Sequence, residues 1–166
     1  MTSLREWTVA AGIIRDESQN VLLVCNLRRN GSSDWSTPGG VVETGEEMVE
    51  ALTREVIEET GIQVSHWSPA VYSVVAAAPG MGWHLTVQVH EAHVWTGDIN
   101  IDDPDGIVTE AVFLDVQSAL LKLADNARWV SEPISDWLTD PWTGHRQYGY
   151  ELTGVDRSSM GVVRHQ

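Results

Sequence analysis

The chain has 166 residues, 42% of them hydrophobic, which bounds it to one domain (1–166) with a sizeable core. Its formal net charge of -14 disfavours polynucleotides and anionic lipid surfaces as partners, since both attract basic protein. A small phosphorylated ligand remains open, because a divalent cation can mediate between acidic protein and acidic substrate.

The single cysteine, Cys25, excludes an intrachain disulfide and a cysteine zinc cluster. The opening residues lack the basic-then-apolar pattern of a signal peptide, and no apolar run is long enough to span a bilayer, so the cytoplasm is the expected location. In chain order, "WTVAAGII" and "VLLVCNL" read as two strands joined by a turn, and "RRNGSSDWSTPGG" as a loop. A helix is expected from about Glu46 to Thr60. "AVYSVVAAA" and "WHLTVQVHEAHVW" follow as strands separated by Pro79-Gly80; in the second, Leu85, Val87 and Val89 alternate with polar residues as in a half-buried sheet. After the acidic loop "TGDINIDDPDG" come a strand, "TEAVFLDV", and a second helix, "VQSALLKLADNARWV". A short third helix is expected over "SEPISDWLTD", with Ser131 as its cap and Pro133 in its first turn, and "RQYGYEL" reads as a late strand. This mixed order fits an α/β fold, a sheet covered by helices.

The helix that opens at Glu46 carries an electrostatic anomaly. Thr44 with Glu47 is expected to form a capping box, and Gly61 to stop the helix, with Ile62 folding back on Ile57. Val49, Leu52 and Val56 form the expected apolar stripe, and Met48 lies on its flank. Glu55 and Glu59, about 40° apart at helical pitch, border that stripe instead of facing water. Acids in a last turn oppose the helix dipole, and like charges at i,i+4 repel. Arg54 reaches Glu58 at i,i+4 and leaves Glu55 and Glu59 unpaired, so a hard, oxygen-loving cation such as Mg²⁺ suits them.

Gly40, Glu46, Arg54, Glu55, Glu58, Glu59 and Gly61, with Val56 and Ile62, match G-x5-E-x7-R-E-U-x-E-E-x-G-U at every position, U being a bulky aliphatic. The segment resembles the Nudix box, the signature of the Nudix hydrolases. Trp35, Pro38 and Gly39 resemble the common W-x-x-P-G-G lead-in, with Thr37 where a larger apolar residue is frequent. The resemblance implies an α/β/α sandwich with a mixed sheet and a loop-helix-loop site. It also implies hydrolysis of a nucleoside diphosphate linked to another moiety, with Mg²⁺ or Mn²⁺ and water. By the family's pattern Glu55, Glu58 and Glu59 supply carboxylates to metal, the Gly40 carbonyl completes a metal site, Arg54 orients the glutamates, and Glu46 is a structural acid. The general base is then either a box glutamate or a later acid, Asp102, Asp103, Asp105 or Glu110; Glu110 ranks first because it directly precedes an apolar strand.

Substrate identity is less legible. The short chain and the lead-in resemble the (deoxy)nucleoside triphosphate pyrophosphohydrolases, including those that remove oxidised nucleotides. Pro79, 17 positions after Ile62, is similar to the ADP-ribose hydrolases, although the acid that often follows there is missing from "PGMGWHL". A nucleotide-sensing Nudix domain without turnover is the alternative of another class, and the intact box argues for the enzyme. Trp35, Trp83, Trp142, Tyr148 and Tyr150 are candidates to stack on a base, and Arg28, Arg29 and Arg146 to hold phosphate. The aromatic segment Trp129 to Tyr150 is a candidate homodimer contact. His84, His90 and His93 do not share one strand face, which disfavours zinc.

Overall fold

The computed structural model describes residues 3–165. Ten strands and three helices alternate: β1 (Arg5–Ile13), β2 (Val21–Leu27), β3 (Ser33–Ser36), β4 (Gly39–Val41), α1 (Met48–Thr60), β5 (Gln63–Trp67), β6 (Tyr72–Ala78), β7 (Trp83–Thr96), β8 (Val108–Leu114), α2 (Val116–Leu123), α3 (Arg128–Thr139), β9 (Arg146–Thr153) and β10 (Gly161–Arg164).

The larger sheet runs β10-β9-β6-β7-β1-β4, with β5 also paired to the long strand β7; the smaller runs β3-β2-β8. β1 pairs parallel to β7 and β6 parallel to β9, while the remaining pairings are antiparallel, so the sheet is mixed. Period-two alternation splits the core in two. Leu22 of β2 joins Ala10, Leu52, Val56 and Ile62 beneath α1, whereas its neighbours Val21 and Leu23 join Ala119, Leu123, Ile134 and Trp137 beneath α2 and α3. Helices therefore cover both faces, and the α/β/α layering expected from the resemblance is present.

Several elements depart from their expected bounds. The segment read as one loop contains β3 and β4, because Cys25 and Asn26 of β2 pair with Trp35 and Asp34, and Ala10 and Ala11 of β1 pair with Gly40 and Gly39. Helix α1 begins two residues later than expected. Gly45, at φ 82°, turns the chain first, and the reciprocal cap forms at Glu47, whose amide donates to the Glu50 carboxylate at 3.4 Å, in place of Thr44. Val49 and Ile57 lie on the solvent face, 40% and 41% exposed, and the buried face of α1 is Ala51, Leu52, Val56, Glu59 and Thr60. The expected second helix breaks after Leu123, and α3 begins at Arg128, not at Ser131, with Pro133 inside it. Strands β5 and β10 had no separate signal in the sequence. The aromatics of the Trp129 to Tyr150 segment turn inward: Trp137 packs edge-on to Trp142 at 4.8 Å, Trp129 lies against Trp83, and Tyr148 and Tyr150 are each 2% exposed.

Candidate active site at the C-terminal end of helix α1

The site is built where β4 passes under α1. Pairing with β1 presses the Gly39-Gly40 backbone against the last two turns of the helix, where Glu55 and Glu59 project. Gly40 leaves no room for a side chain: a Cβ there would lie 2.4 Å from the Glu55 carboxyl carbon. Trp67 of β5 fixes the helix from its other side, donating its indole N–H to the Thr53 hydroxyl at 3.0 Å. With β5 unread, nothing in the sequence singled out Trp67.

Arg54 organises the acids. Its guanidinium donates to both oxygens of Glu46, at 2.9 and 3.0 Å, to Glu55 at 3.0 Å and to Glu58 at 3.4 Å. That pairing holds Glu46 below the usual carboxylate range. Glu55 was expected to be unpaired, yet the fan of the guanidinium lets Arg54 reach its sequence neighbour as well as Glu58 one turn on. Burial nevertheless pushes Glu55 up, with the charges of Glu58 and Asp105 adding to it against the pull of Arg54.

Glu59 is the extreme case. Only 7% exposed, it forms no ion pair among the described residues, and burial together with the charge of Glu55 pushes it up to about 8, against the opposing effect of the Gly39 amide. A buried carboxylate beside a second carboxylate is unfavourable unless it is protonated or meets a cation. No group of three His, Cys, Asp or Glu side chains among the described residues forms a ready-made metal cage. What the fold gathers is two carboxylates and the half-buried main chain of Gly39-Gly40. Such a partial set suits Mg²⁺, which keeps waters and substrate phosphates among its ligands.

Glu58 is directed to Arg54, and Glu110 stands exposed on β8 opposite Cys25, with no contact to the pair among the bonds and ion pairs of the described residues. The later acids whose charges reach the site are Asp105, acting on Glu55, and Asp103, acting on Glu59. Asp103 is largely committed to its own loop, accepting from the amides of Asp105, Ile107 and Val108. The same loop satisfies the end of α1, with the Asn100 and Asp102 amides donating to the carbonyls of Thr60 and Glu58.

The other candidates lie elsewhere. Arg28 is held by Asp34 in a two-point pair at 2.5 and 2.8 Å. Trp35 carries the Lys122 ammonium 4.4 Å over its ring, and its carbonyl accepts from Asn126. Trp83 packs on Trp129, Trp142 donates to the Val71 carbonyl beneath Arg146, and Tyr148 donates to Asp136, which makes these aromatics parts of the core. Pro79 and Gly80 form a 3-10 turn between β6 and β7 that packs on the Gly154 carbonyl, a structural reason for their presence.

A mixed sheet between helices, with paired glutamates on a helix held over a Gly-Gly strand, defines the class. The model of the NUDIX domain matches residues 6–138, and the chain belongs to that family, the Nudix hydrolases. Among curated relatives, an 8-oxo-dGTP diphosphatase of Proteus vulgaris is 36% identical over 66 residues, covering 39% of this chain and 59% of its own. The human 8-oxo-dGDP phosphatase NUDT18 is 41% identical over 54 residues, covering 32% of this chain and 17% of its own. The chain thus spans less than two thirds of the length of either. Among solved structures, the MutT protein of Methanosarcina mazei Go1 superposes with a TM-score of 0.62 at 20% identity, over 82% of this chain and 92% of that one, which shows the shared fold.

Proposed function

We propose that the chain is a Mg²⁺-dependent hydrolase of a pyrophosphate bond in a nucleoside diphosphate derivative, and specifically a (deoxy)nucleoside triphosphate pyrophosphohydrolase; Mn²⁺ would serve the same ligands. The observation that carries this reading is Glu59: a buried carboxylate pushed up to about 8 beside a second carboxylate, with no ion pair among the described residues. Glu55, Glu59 and the Gly40 carbonyl are the groups that would hold the metal. When bound, the metal would acidify a water and neutralise charge on the phosphate oxygens.

The chain's own residues do the rest. Arg54 ties Glu55 and Glu58 together through its guanidinium, and the Glu55 carboxylate lies against Gly40 of the strand. The Gly39-Gly40 backbone excludes side-chain bulk from the place a phosphate must approach. Asp105, whose charge reaches Glu55, is the later acid this reading assigns to take the proton of the attacking water, directly or through a second water. The relatives named for 8-oxo-dGTP and 8-oxo-dGDP support a nucleoside polyphosphate over ADP-ribose, and the packing of the Pro79 turn gives that proline a reason other than substrate choice.

The test is a panel of nucleoside triphosphates, 8-oxo-dGTP, ADP-ribose, dinucleoside polyphosphates and nucleotide sugars, each with Mg²⁺ or EDTA, with products separated. Release of a monophosphate and pyrophosphate from a triphosphate, only with metal, is the expected result. Cleavage of ADP-ribose alone would reassign the substrate, and tight binding without turnover would make the chain a nucleotide sensor.

A further inference from the structure

The chain holds only ten lysines and arginines, and three of them, Arg28, Arg29 and Arg157, line one groove of about 660 Å³. Arg28 and Arg29 come from the end of β2. Arg157 comes from the connection between β9 and β10, a hairpin that lies beyond the family match, which stops at residue 138.

The charge there is not cancelled internally. Asp34 is taken by Arg28, whereas the ion pairs of the described residues use Arg28, Arg54, Arg128 and Arg164 and leave Arg29 and Arg157 without one. Asp125 is the one remaining acid in the lining, so the groove is net positive on a chain of net charge -14. Arg157 sits in a turn closed by the Asp156 carboxylate, which accepts from the Ser158 hydroxyl at 2.7 Å and from the Ser159 amide at 2.9 Å. Ala127, the N-cap of α3, also lines the groove and makes no side-chain cap, so the helix dipole adds to the arginines.

A second depression shares Arg28 and Arg29 with this groove and is bordered by Asp105, the acid whose charge reaches Glu55. The positive groove therefore adjoins, through Arg28 and Arg29, a depression that ends at Asp105 on the loop beside the C-terminal end of α1.

We propose that Arg29 and Arg157 form a phosphate subsite that binds a phosphate group of the substrate remote from the bond cleaved, and that the β9–β10 hairpin supplies half of it. This rests on the hydrolase reading for its link to turnover, but not for the binding itself. Guanidinium groups are suited to phosphate, and two lining one groove can share an anion that a lone surface arginine cannot. Within the triphosphate class, the subsite favours a nucleoside triphosphate that carries a further phosphomonoester.

The first experiment follows the arginine Nε–H resonances of the full chain by ¹H–¹⁵N NMR during titration with inorganic phosphate in EDTA, where hydrolysis plays no part. Arg29 and Arg157 should shift together and saturate, and Arg157→Ala should weaken the Arg29 titration about tenfold, the scale of one lost charge-assisted contact. Equal shifts at Arg5 and Arg146, or an Arg29 curve unchanged in the Arg157→Ala chain, would overturn the subsite. Where the chain turns over nucleotides, Arg157→Ala should also raise KM about tenfold at constant kcat for a triphosphate carrying a 3′-phosphate. A chain that hydrolyses nothing yet shows the paired NMR titration would refute the hydrolase reading and keep the subsite.

Discussion

Gly40 and Glu55 lie so close that a methyl group on the one would stand 2.4 to 2.8 Å from the carboxyl atoms of the other. The contact is between backbone and the far end of a flexible side chain, so Gly40→Ala is expected to fold and to displace the carboxylate. A displacement near 1 Å in a reacting geometry costs about 100-fold in rate. Gly40→Ala should therefore melt close to the parent temperature and hydrolyse its substrate about 100-fold more slowly. A variant with unchanged kcat would show that Glu55 is not held for catalysis by this contact.

Arg54 donates to three carboxylates, those of Glu46, Glu55 and Glu58. It is a positioning residue. Removal of partners that orient ligating groups costs about 10- to 100-fold in metal affinity or activity. Arg54→Ala should fall in that range and require more Mg²⁺ for half-maximal rate. Arg54→Lys, a point charge that cannot bridge three acids, should recover only part of the loss. Identical Mg²⁺ dependence in Arg54→Ala and the parent chain would count against the positioning role.

How much of this was legible beforehand depended on whether the information was local. The stop at Gly61 and the acids bordering the α1 stripe are consequences of period and cap chemistry, which a sequence displays directly, whereas the half-buried alternation expected of β7 fails at His90, which is buried beside Val89. What was missed depends on distant partners. β3 and β4 are strands because β2 and β1 lie beside them; their own residues, "SDWS" and "GGV", carry turn chemistry. Thr44 is a competent cap displaced by the turn at Gly45. Arg54 reaches Glu55 as well as Glu58 because its guanidinium fans across the helix end, which i,i+4 counting does not reveal. Arg157 joins Arg29 across more than a hundred residues, and no local signal could pair them.

Gly61 marks the boundary between the helix and the loop that carries Asp103 and Asp105. It adopts φ 79°, and a Cβ there would stand 2.8 Å from the backbone of both Asp98 and Asn100. Left-handed backbone at a non-glycine residue costs about 1–3 kcal/mol, and the overlap with rigid main chain adds to it. Gly61→Ala should lower the urea midpoint by at least that much stability, and it should also slow hydrolysis by moving the acidic loop off the helix end. A stable variant would mean that the loop yields without cost.

The last expectation concerns pH and the metal-free protein. The folded-state value of Glu59, about 8, lies above its unfolded value of 4.5. The folded chain therefore binds this proton more tightly than the unfolded chain does. The stability it contributes is fully present below pH 4.5 and is lost as pH rises through 8. At slightly alkaline pH the ionised carboxylate is a burden on the fold, on the order of a few kcal/mol for a group this buried. Glu59→Gln removes that ionisation and retains the volume. In EDTA it should melt above the parent chain at pH 8, and the gap should close as pH falls toward 4.5. Mg²⁺ should narrow the gap at pH 8 by stabilising the parent alone, with proton release on binding. Parallel melting curves for the two chains from pH 4.5 to 8, with no differential effect of Mg²⁺, would remove Glu59 from the metal site and with it the main support for the hydrolase reading.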